Sequence, residues 1–152
     1  MKIHVDTTDL PSEPGDYAIV TVPGGAKGAA TLSESRSVQS VLQKFEKAGK
    51  FIGAICAGSL AIKTAGLVVG GKVTSHPSVE KEFGEYKYSE ERVVVEGRVV
   101  SSRGYFAVSS FVLTRSRPGT ALEWSLKMVE LLSGKGKRDE VAAGMVLHPA
   151  VA

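Results

Sequence analysis

The sequence lacks any long apolar run. Its uninterrupted apolar stretches, Ala18–Val20 and Leu67–Val69 among them, are only a few residues long, whereas a helix that spans a bilayer needs about 20. Residues 1–9 also lack a basic region followed by an apolar stretch, which is the pattern of a secretory signal. We therefore expect no membrane segment and a cytoplasmic protein, with the nucleus as a further location.

Cysteine is almost absent, since Cys56 is the only one among 152 residues. A single thiol excludes an internal disulfide framework and a multi-cysteine metal site. Cys56 is therefore either a small hydrophobe that fills the core or a reactive thiol. The function depends on which of the two holds.

A strong excess of charge of one sign is lacking too. The 19 Lys and Arg against 16 Asp and Glu leave a net charge of +3, too little to favour nucleic-acid binding. We interpret the basic cluster Lys135–Arg138 as a solvated loop between helices, with a binding patch as the alternative. The 43% content of apolar residues predicts one packed domain over residues 1–152.

What the sequence does contain is an alternation of strand and helix patterns. Nearly continuous apolar residues at Tyr17–Val22 predict a strand buried on both faces, and Phe51–Ile55 and Lys72–Thr74 predict two more. A stripe with a period of 3.6 residues predicts a helix over 37–48, and composition predicts another at Cys56–Ala65. Such alternation is typical of an α/β fold with a mostly parallel sheet.

The second half of the chain carries a hairpin pattern and a capping pattern. Arg92–Val95 and Arg98–Ser101 flank a two-residue turn at 96–97 and predict a β-hairpin. Thr120 followed by Glu123 matches a capping box, in which the threonine side chain caps a helix that runs to residue 133.

Small residues surround Cys56 at the predicted junction of strand and helix, in Gly53-Ala-Ile-Cys-Ala-Gly58. This is the pattern of a nucleophile elbow, where the reactive side chain stands out of a sharp turn. Backbone N–H groups at the start of a helix favour a thiolate and can stabilise an oxyanion. The pattern gives the reactive interpretation of Cys56 a physical basis.

Gly24, Gly25 and His76 also follow predicted strands. Because the carboxyl ends of parallel strands meet at one crevice, we expect these residues to line it together with Cys56. Beside a thiolate, His76 is a candidate acid or base, and the Gly24-Gly25 backbone can donate to an oxyanion. The alternatives are a hydrogen-bonded loop histidine and a plain turn.

Several motifs resemble those of the ThiJ/PfpI superfamily, in the same order, over about residues 16–104 and 118–147. They are Val22-Pro-Gly-Gly25, Ala54-Ile-Cys-Ala-Gly58, Lys72-Val-Thr-Ser-His-Pro77, Tyr86-Lys-Tyr-Ser-Glu90, Ser102-Arg-Gly104 and Pro118-Gly-Thr120. The resemblance implies a flavodoxin-like three-layer sandwich with a glutamine-amidotransferase-like core. It also implies a homodimer and a reactive cysteine that needs no cofactor and no metal.

The resemblance assigns roles by position. It makes Cys56 the nucleophile and His76 its nearby histidine, while the backbone N–H groups of Gly25 and Ala57 face the oxyanion. Gly24 and Arg103 are further candidates for lining the site.

The activity that the resemblance implies is that of glyoxalase III, or D-lactate dehydratase, acting on methylglyoxal, or removal of glycation adducts. The alternatives are a redox-sensitive chaperone or oxidative-stress sensor, in which Cys56 is oxidised to sulfinic acid, and a cysteine peptidase of the PfpI type.

The start of the sequence departs from the superfamily pattern. Relatives have a strand, a helix and a second strand before the Pro-Gly-Gly strand, and the helix region carries a glutamate that hydrogen-bonds the cysteine; here 22 residues precede Pro23. We expect the first β-α-β portion to be missing, and Glu13 and Asp16 to lie at the amino end of the first strand, away from the crevice. Apolar sheet surface would then be exposed, the dimer would be in doubt, and the chain would be weakly active or inactive.

A second departure is the 13-residue segment 105–117, which splits what relatives write as one Ser-Arg-Gly-Pro-Gly-Thr turn. We interpret it as a retained intron or an artefact of gene prediction, because it is apolar and strand-like where an exposed loop is normally polar. A substrate lid or a partner loop is the alternative.

Overall fold

A four-stranded sheet lies at the centre of the computed structural model, which describes residues 9–104 and 120–145. The strands in chain order are β1 (Ile19–Val22), β2 (Phe51–Ile55), β3 (Lys72–Val73), β4 (Lys87–Tyr88), β5 (Val93–Glu96) and β6 (Val99–Ser102). The central sheet has the order β1-β2-β6-β5, and only the β5–β6 pair is antiparallel. Strands β3 and β4 form a separate parallel pair.

Helices connect and cover these strands. They are α1 (Ala26–Glu34), α2 (Arg36–Lys47), α3 (Leu60–Thr64), α4 (Ala121–Ser133) and α5 (Lys135–Ala143), with 3-10 turns at Cys56–Ser59 and Pro77–Phe83. Within the described ranges, no helix is both long enough and apolar enough to cross a bilayer.

The alternation of side chains along β2 shows the layers. Ile52 and Ala54 belong to the same buried cluster as Phe45 of α2 and Ile62 of α3. Gly53 faces the opposite side, where a Cβ would lie 2.8 Å from the ring of Trp124 in α4, as the two-residue period of a strand requires. Helices therefore cover both faces of a mostly parallel sheet, which confirms the predicted α/β sandwich.

The first and third predicted strands are shorter than expected. β1 begins at Ile19 rather than Tyr17, and Thr21 is exposed, so the prediction of burial on both faces is wrong. The physical reason is that β1 pairs only with β2 in the part of the chain that the structure describes, where residues 9–18 form no strand. β3 is two residues long and lies outside the central sheet.

The hairpin is present with its turn displaced by one residue. Glu96 pairs with Val99, so the two turn residues are Gly97 and Arg98 rather than 96–97. Gly97 has φ +57° and Arg98 does not have a positive φ, the pattern of a type II′ turn with glycine first. The first position of this turn needs a positive φ, which glycine adopts most easily, and the turn therefore starts at Gly97 rather than at Glu96.

Two predictions about the second half are wrong. Thr120 precedes α4, but its side chain makes no capping hydrogen bond, so there is no capping box. The Lys135–Arg138 cluster is not a loop but the first turn of α5, because Gly134, at φ +85°, joins the two helices directly. The proposed insertion at 105–117 lies outside the described residues.

Glu123 is used in an ion pair instead of a capping box. Its Oε2 lies 2.6 Å from Arg92 Nε, and the two side chains are only 17% and 28% exposed. We expect Glu123→Gln to lower the free energy of unfolding by about 1–3 kcal/mol, because the partly buried ion pair loses its negative charge and a hydrogen bond between two charged groups becomes a weaker one to a neutral amide. Denaturant unfolding measures this loss.

The matched control is Glu140→Gln, which breaks the exposed Lys137–Glu140 pair (51% and 69% exposed). Exposed pairs contribute about 0–1 kcal/mol, so this variant should unfold almost as the parent does. Equal losses in the two variants would contradict the importance given to the Arg92–Glu123 pair.

Candidate functional site around Cys56

Cys56 stands at the point where β2 ends and a 3-10 turn begins. Ile55 is still extended, at φ −128° and ψ 143°, and Cys56 switches to φ +61°. A positive φ is uncommon for a residue with a Cβ and marks a strained turn, which occurs often at functional sites. The side chain is partly exposed, which is what a reactive thiol requires. The structure thus has the strand-to-helix elbow that the sequence predicts.

Two glycines make this turn possible because they lie against Cys56. A Cβ at Gly24 would lie 2.7 Å from the Cβ of Cys56 and 3.4 Å from its Sγ. A Cβ at Gly104 would lie 2.4 Å from the same Cβ and 2.8 Å from the Cα of Cys56. Real Cβ atoms do not approach other atoms so closely, so any side chain at Gly104 would collide with the backbone of the elbow.

The two glycines come from the strands on either side of Cys56. Gly24 follows β1 and Gly104 follows β6, and both strands run parallel to β2. The carboxyl ends of three neighbouring parallel strands therefore meet at the thiol, as expected for the site of an open α/β sheet. This brings Gly24 and Cys56 together as the sequence predicts.

His76 reaches the site through its backbone. Its N–H donates to the carbonyl oxygen of Cys56 (3.2 Å), although β3 belongs to the separate pair of strands. The imidazole Nδ1 accepts from the backbone N–H of Ser78 (3.1 Å) and lies 2.8 Å from Ser78 Oγ. His76 therefore begins the 3-10 turn that follows it and is held beside the elbow.

The loop that carries His76 is anchored on both sides. The backbone N–H of Thr74 donates to Ser101 Oγ on β6 (3.1 Å), and the Tyr88 hydroxyl on β4 donates to the Ser75 carbonyl oxygen (3.0 Å). Both Thr74 and Ser75 are fully buried. These bonds fix the short connection between β3 and His76 relative to the central sheet.

The remaining predicted residues are placed less directly. Gly25 has φ +95° and precedes α1, and Ala57 is the buried residue that follows Cys56 in the 3-10 turn. Both have backbone N–H groups at this end of the sheet, and their role as oxyanion donors stays a prediction. Arg103 donates from its guanidinium to the Glu90 carbonyl oxygen (3.1 Å), and its part in lining the site also stays a prediction.

Glu13 lies near the amino end of the sheet, as the sequence predicts, whereas Cys56 stands at the carboxyl end of β2. The Glu13 carboxylate accepts from Lys44 Nζ (2.9 Å) near the end of α2, which leads into the amino end of β2. In the described ranges, no three His, Cys, Asp or Glu side chains are grouped so that they could hold a metal ion.

Sequence reasoning missed Gly58, Gly104 and Thr120 as parts of the site. A Cβ at Gly58 would lie 2.4 Å from the Pro23 carbonyl oxygen, so this glycine lets the turn pack against the end of β1. Gly104 N–H donates to Thr120 Oγ1 (2.7 Å). The available signal was a glycine at the second position after a strand, and it applied to Gly104 as well as to Gly24.

Comparison with known proteins identifies similar chains. The DJ-1/PfpI family matches residues 1–131. Parkinson disease protein 7 homolog of Danio rerio is 39% identical over 136 residues, which are 88% of this chain and 65% of that protein. Glutathione-independent glyoxalase DJ-1 of Schizosaccharomyces pombe is 41% identical over 128 residues, which are 82% of this chain and 60% of that protein. The chain thus spans 60–65% of the length of these two relatives.

Solved structures agree with the sequence relatives. The crystal structure of Drosophila melanogaster DJ-1beta has a TM-score of 0.75 at 34% identity, covering 88% of this chain and 66% of that one. The structure of Schizosaccharomyces pombe DJ-1 has a TM-score of 0.72 at 38% identity, with 87% and 64% covered.

Proposed function

The chain belongs to the DJ-1/PfpI family, and on that premise we propose that it converts methylglyoxal to lactate without a cofactor, with Cys56 as the nucleophile. The observation that carries the proposal is the elbow at Cys56. This residue is partly exposed, its backbone has φ +61°, and Gly24 and Gly104 pack closely against it. The 41% identity to a protein named glutathione-independent glyoxalase supports a glyoxalase-type reaction. Removal of glycation adducts would use the same thiol and the same attack on a carbonyl carbon.

The first step is addition of the thiol to the aldehyde carbon. A bond forms between Cys56 Sγ and that carbon, the carbonyl π bond breaks, and the thiol proton ends on the oxygen to give a hemithioacetal. While the oxygen is negative, the backbone N–H groups of Gly25 and Ala57 would stabilise it. This step consumes no cofactor and changes no oxidation state in the protein.

The second step moves the carbon-bound proton. A base removes the proton from the former aldehyde carbon, an enediol forms, and a proton is returned to the neighbouring carbon, which leaves a thioester of lactate on Cys56. One carbon is oxidised and its neighbour reduced, so no external oxidant is needed. Water then hydrolyses the thioester and releases lactate and the free thiol.

We assign a proton transfer of this step to His76. Nδ1 accepts from the backbone N–H of Ser78 (3.1 Å) and also lies 2.8 Å from Ser78 Oγ, so the proton of the neutral ring is on Nε2. Nε2–H would then donate the proton that returns to the neighbouring carbon of the enediol. The Ser78 backbone and hydroxyl hold the ring in this orientation and tautomer.

We therefore expect Ser78→Ala to lower kcat for lactate formation by about 3–10-fold with little change in KM, because the imidazole loses one of the two Ser78 contacts that orient its ring. Ser78 is exposed, so folding should be little affected. Ser78→Thr restores a hydroxyl and should restore the rate. A kcat that is unchanged in Ser78→Ala would show that the Ser78 hydroxyl does not position His76 for the proton transfer.

The experiment that tests the proposed function is lactate formation from methylglyoxal by the purified chain, with glutathione omitted. Lactate formed in proportion to the concentration of the chain supports the proposal, and its absence in the folded chain contradicts it. Two alternative predictions rest on the same elbow. In one, Cys56 is oxidised to sulfinic acid and the protein acts as a redox sensor or chaperone. In the other, Cys56 is the nucleophile of a peptidase.

A further inference from the structure

Thr120 is buried at a position where its side chain has no role in its own helix. It directly precedes α4 and is 0% exposed, but its hydroxyl does not cap the helix. Thr120 Oγ1 instead lies 2.7 Å from the backbone N of Gly104 and 2.5 Å from Ser102 Oγ. The hydroxyl of this fully buried residue thus makes its hydrogen bonds with Ser102 at the end of β6 and with Gly104 just after it.

One arrangement of the protons in this cluster gives every donor an acceptor. Ser102 Oγ donates its proton to the Arg92 carbonyl oxygen (3.1 Å), and in that arrangement Thr120 Oγ1 donates to Ser102 Oγ and accepts the Gly104 N–H. The result is a directed chain from Gly104 through Thr120 and Ser102 to Arg92, in which every donor has an acceptor.

The first member of this chain is the glycine that lies against the elbow. Gly104, at φ +68°, is so close to Cys56 that a Cβ would lie 2.4 Å from its Cβ, 2.8 Å from its Cα and 3.0 Å from its backbone N. Gly104 therefore packs directly against the backbone of Cys56, which holds φ +61°. Whatever holds Gly104 in place also holds the elbow.

We propose that Thr120 is a positioning residue, whose hydroxyl holds Gly104 against Cys56 and so keeps the thiol turned out of the fold. The inference rests on the proposed function, in which Cys56 is the nucleophile. Thr120 itself contacts neither the thiol nor a substrate. Its effect passes through the Gly104 backbone alone.

The variant Thr120→Val keeps the shape of the side chain and removes the hydroxyl. The Gly104 N–H and the Ser102 hydroxyl lose their partner, Gly104 is free to move away, and Cys56 relaxes toward a common φ with its thiol turned inward. A general loosening of the fold would expose the thiol and speed its modification, so slower modification is specific to positioning.

The test is the rate of Cys56 alkylation by iodoacetamide across the pH range, on the full chain and its variants. We expect the high-pH plateau of Thr120→Val to fall about tenfold, because small misplacements of a nucleophile cost one to two orders of magnitude. Thr120→Ser keeps the hydroxyl and should stay within about twofold of the parent. A folded Thr120→Val with an unchanged or faster rate would overturn the proposal.

Ser102→Ala keeps the inference testable if Thr120→Val does not fold. This variant removes the acceptor of the Thr120 proton but leaves the bond to Gly104, so a smaller slowing of about 2–5-fold is expected. An unchanged rate in Ser102→Ala would then overturn the proposal.

Alkylation of Cys56 needs no substrate, so the experiment distinguishes a failure of the proposed glyoxalase activity from a failure of the positioning role of Thr120. If the parent forms no lactate while Thr120→Val is alkylated slowly, the proposed function fails and the positioning role stands. If the parent forms lactate and Thr120→Val is alkylated and turns over at the parent rate, the positioning role fails and the proposed function stands.

Discussion

Replacing Cys56 by serine is expected to lower lactate formation from methylglyoxal by about 10³-fold or more, because a hydroxyl in this position is a far weaker nucleophile than a thiol. Serine has nearly the same size, and Cys56 is only partly buried. The free energy of unfolding should therefore change by less than about 1 kcal/mol. Lactate assay and denaturant unfolding of the same preparation measure the two effects.

The serine variant is also its own control for uncatalysed chemistry. Methylglyoxal reacts with lysine and arginine side chains, and the variant retains all 19 of them. Lactate formation that persists at the parent rate in Cys56→Ser would show that the thiol is not the nucleophile. A variant that fails to fold would contradict the minor structural role assigned to the sulfur.

Gly104→Ala is expected to damage both stability and thiol reactivity. An alanine Cβ would lie 2.4 Å from the Cβ of Cys56 and 3.0 Å from its backbone N, at a φ of +68°. The left-handed conformation costs a residue with a Cβ about 1–2 kcal/mol, and overpacking against backbone adds about 1–3 kcal/mol. We expect the free energy of unfolding to fall by about 2–5 kcal/mol. In the protein that remains folded, we expect iodoacetamide to alkylate Cys56 more slowly.

Gly136→Ala is the matched control for this substitution. Gly136 lies within α5, has no positive φ, and an added Cβ would meet nothing within 4 Å. Alanine in a helix interior is more favourable than glycine by about 0.5–1 kcal/mol, and Gly136 is the second residue of α5, so the control should gain at most this much and lose nothing. If Gly104→Ala behaved like Gly136→Ala, the close approach of β6 to the elbow would be wrong.

The position of Cys56 could be predicted from sequence because its signals are local. The apolar run Phe51–Ile55 ends where small residues begin, and the structure places the switch of backbone conformation at Cys56 itself. The predicted helix over 37–48 was similarly local and is confirmed as α2. These predictions needed only the period of the apolar residues and the steric demands of a turn.

The contact of Gly104 with Cys56 could not be predicted in the same way. It depends on β6 lying beside β2 in a parallel register, with Ser102 opposite Ile55, and no local pattern states which strands become neighbours. Thr120 was misassigned for the related reason that its capping pattern was local. The Thr120 hydroxyl instead bonds the buried Ser102 hydroxyl and the partly buried Gly104 N–H, since leaving these groups unpaired would cost more than an uncapped helix end.

The most direct test of the central claim is to find the substrate on the thiol. The chain is mixed with methylglyoxal, quenched within one turnover, digested and analysed by mass spectrometry, with Cys56→Ser treated in parallel. The account predicts a mass increase of one methylglyoxal on the Cys56 peptide that disappears as lactate forms. Lactate formation with modification confined to lysine and arginine side chains would contradict it.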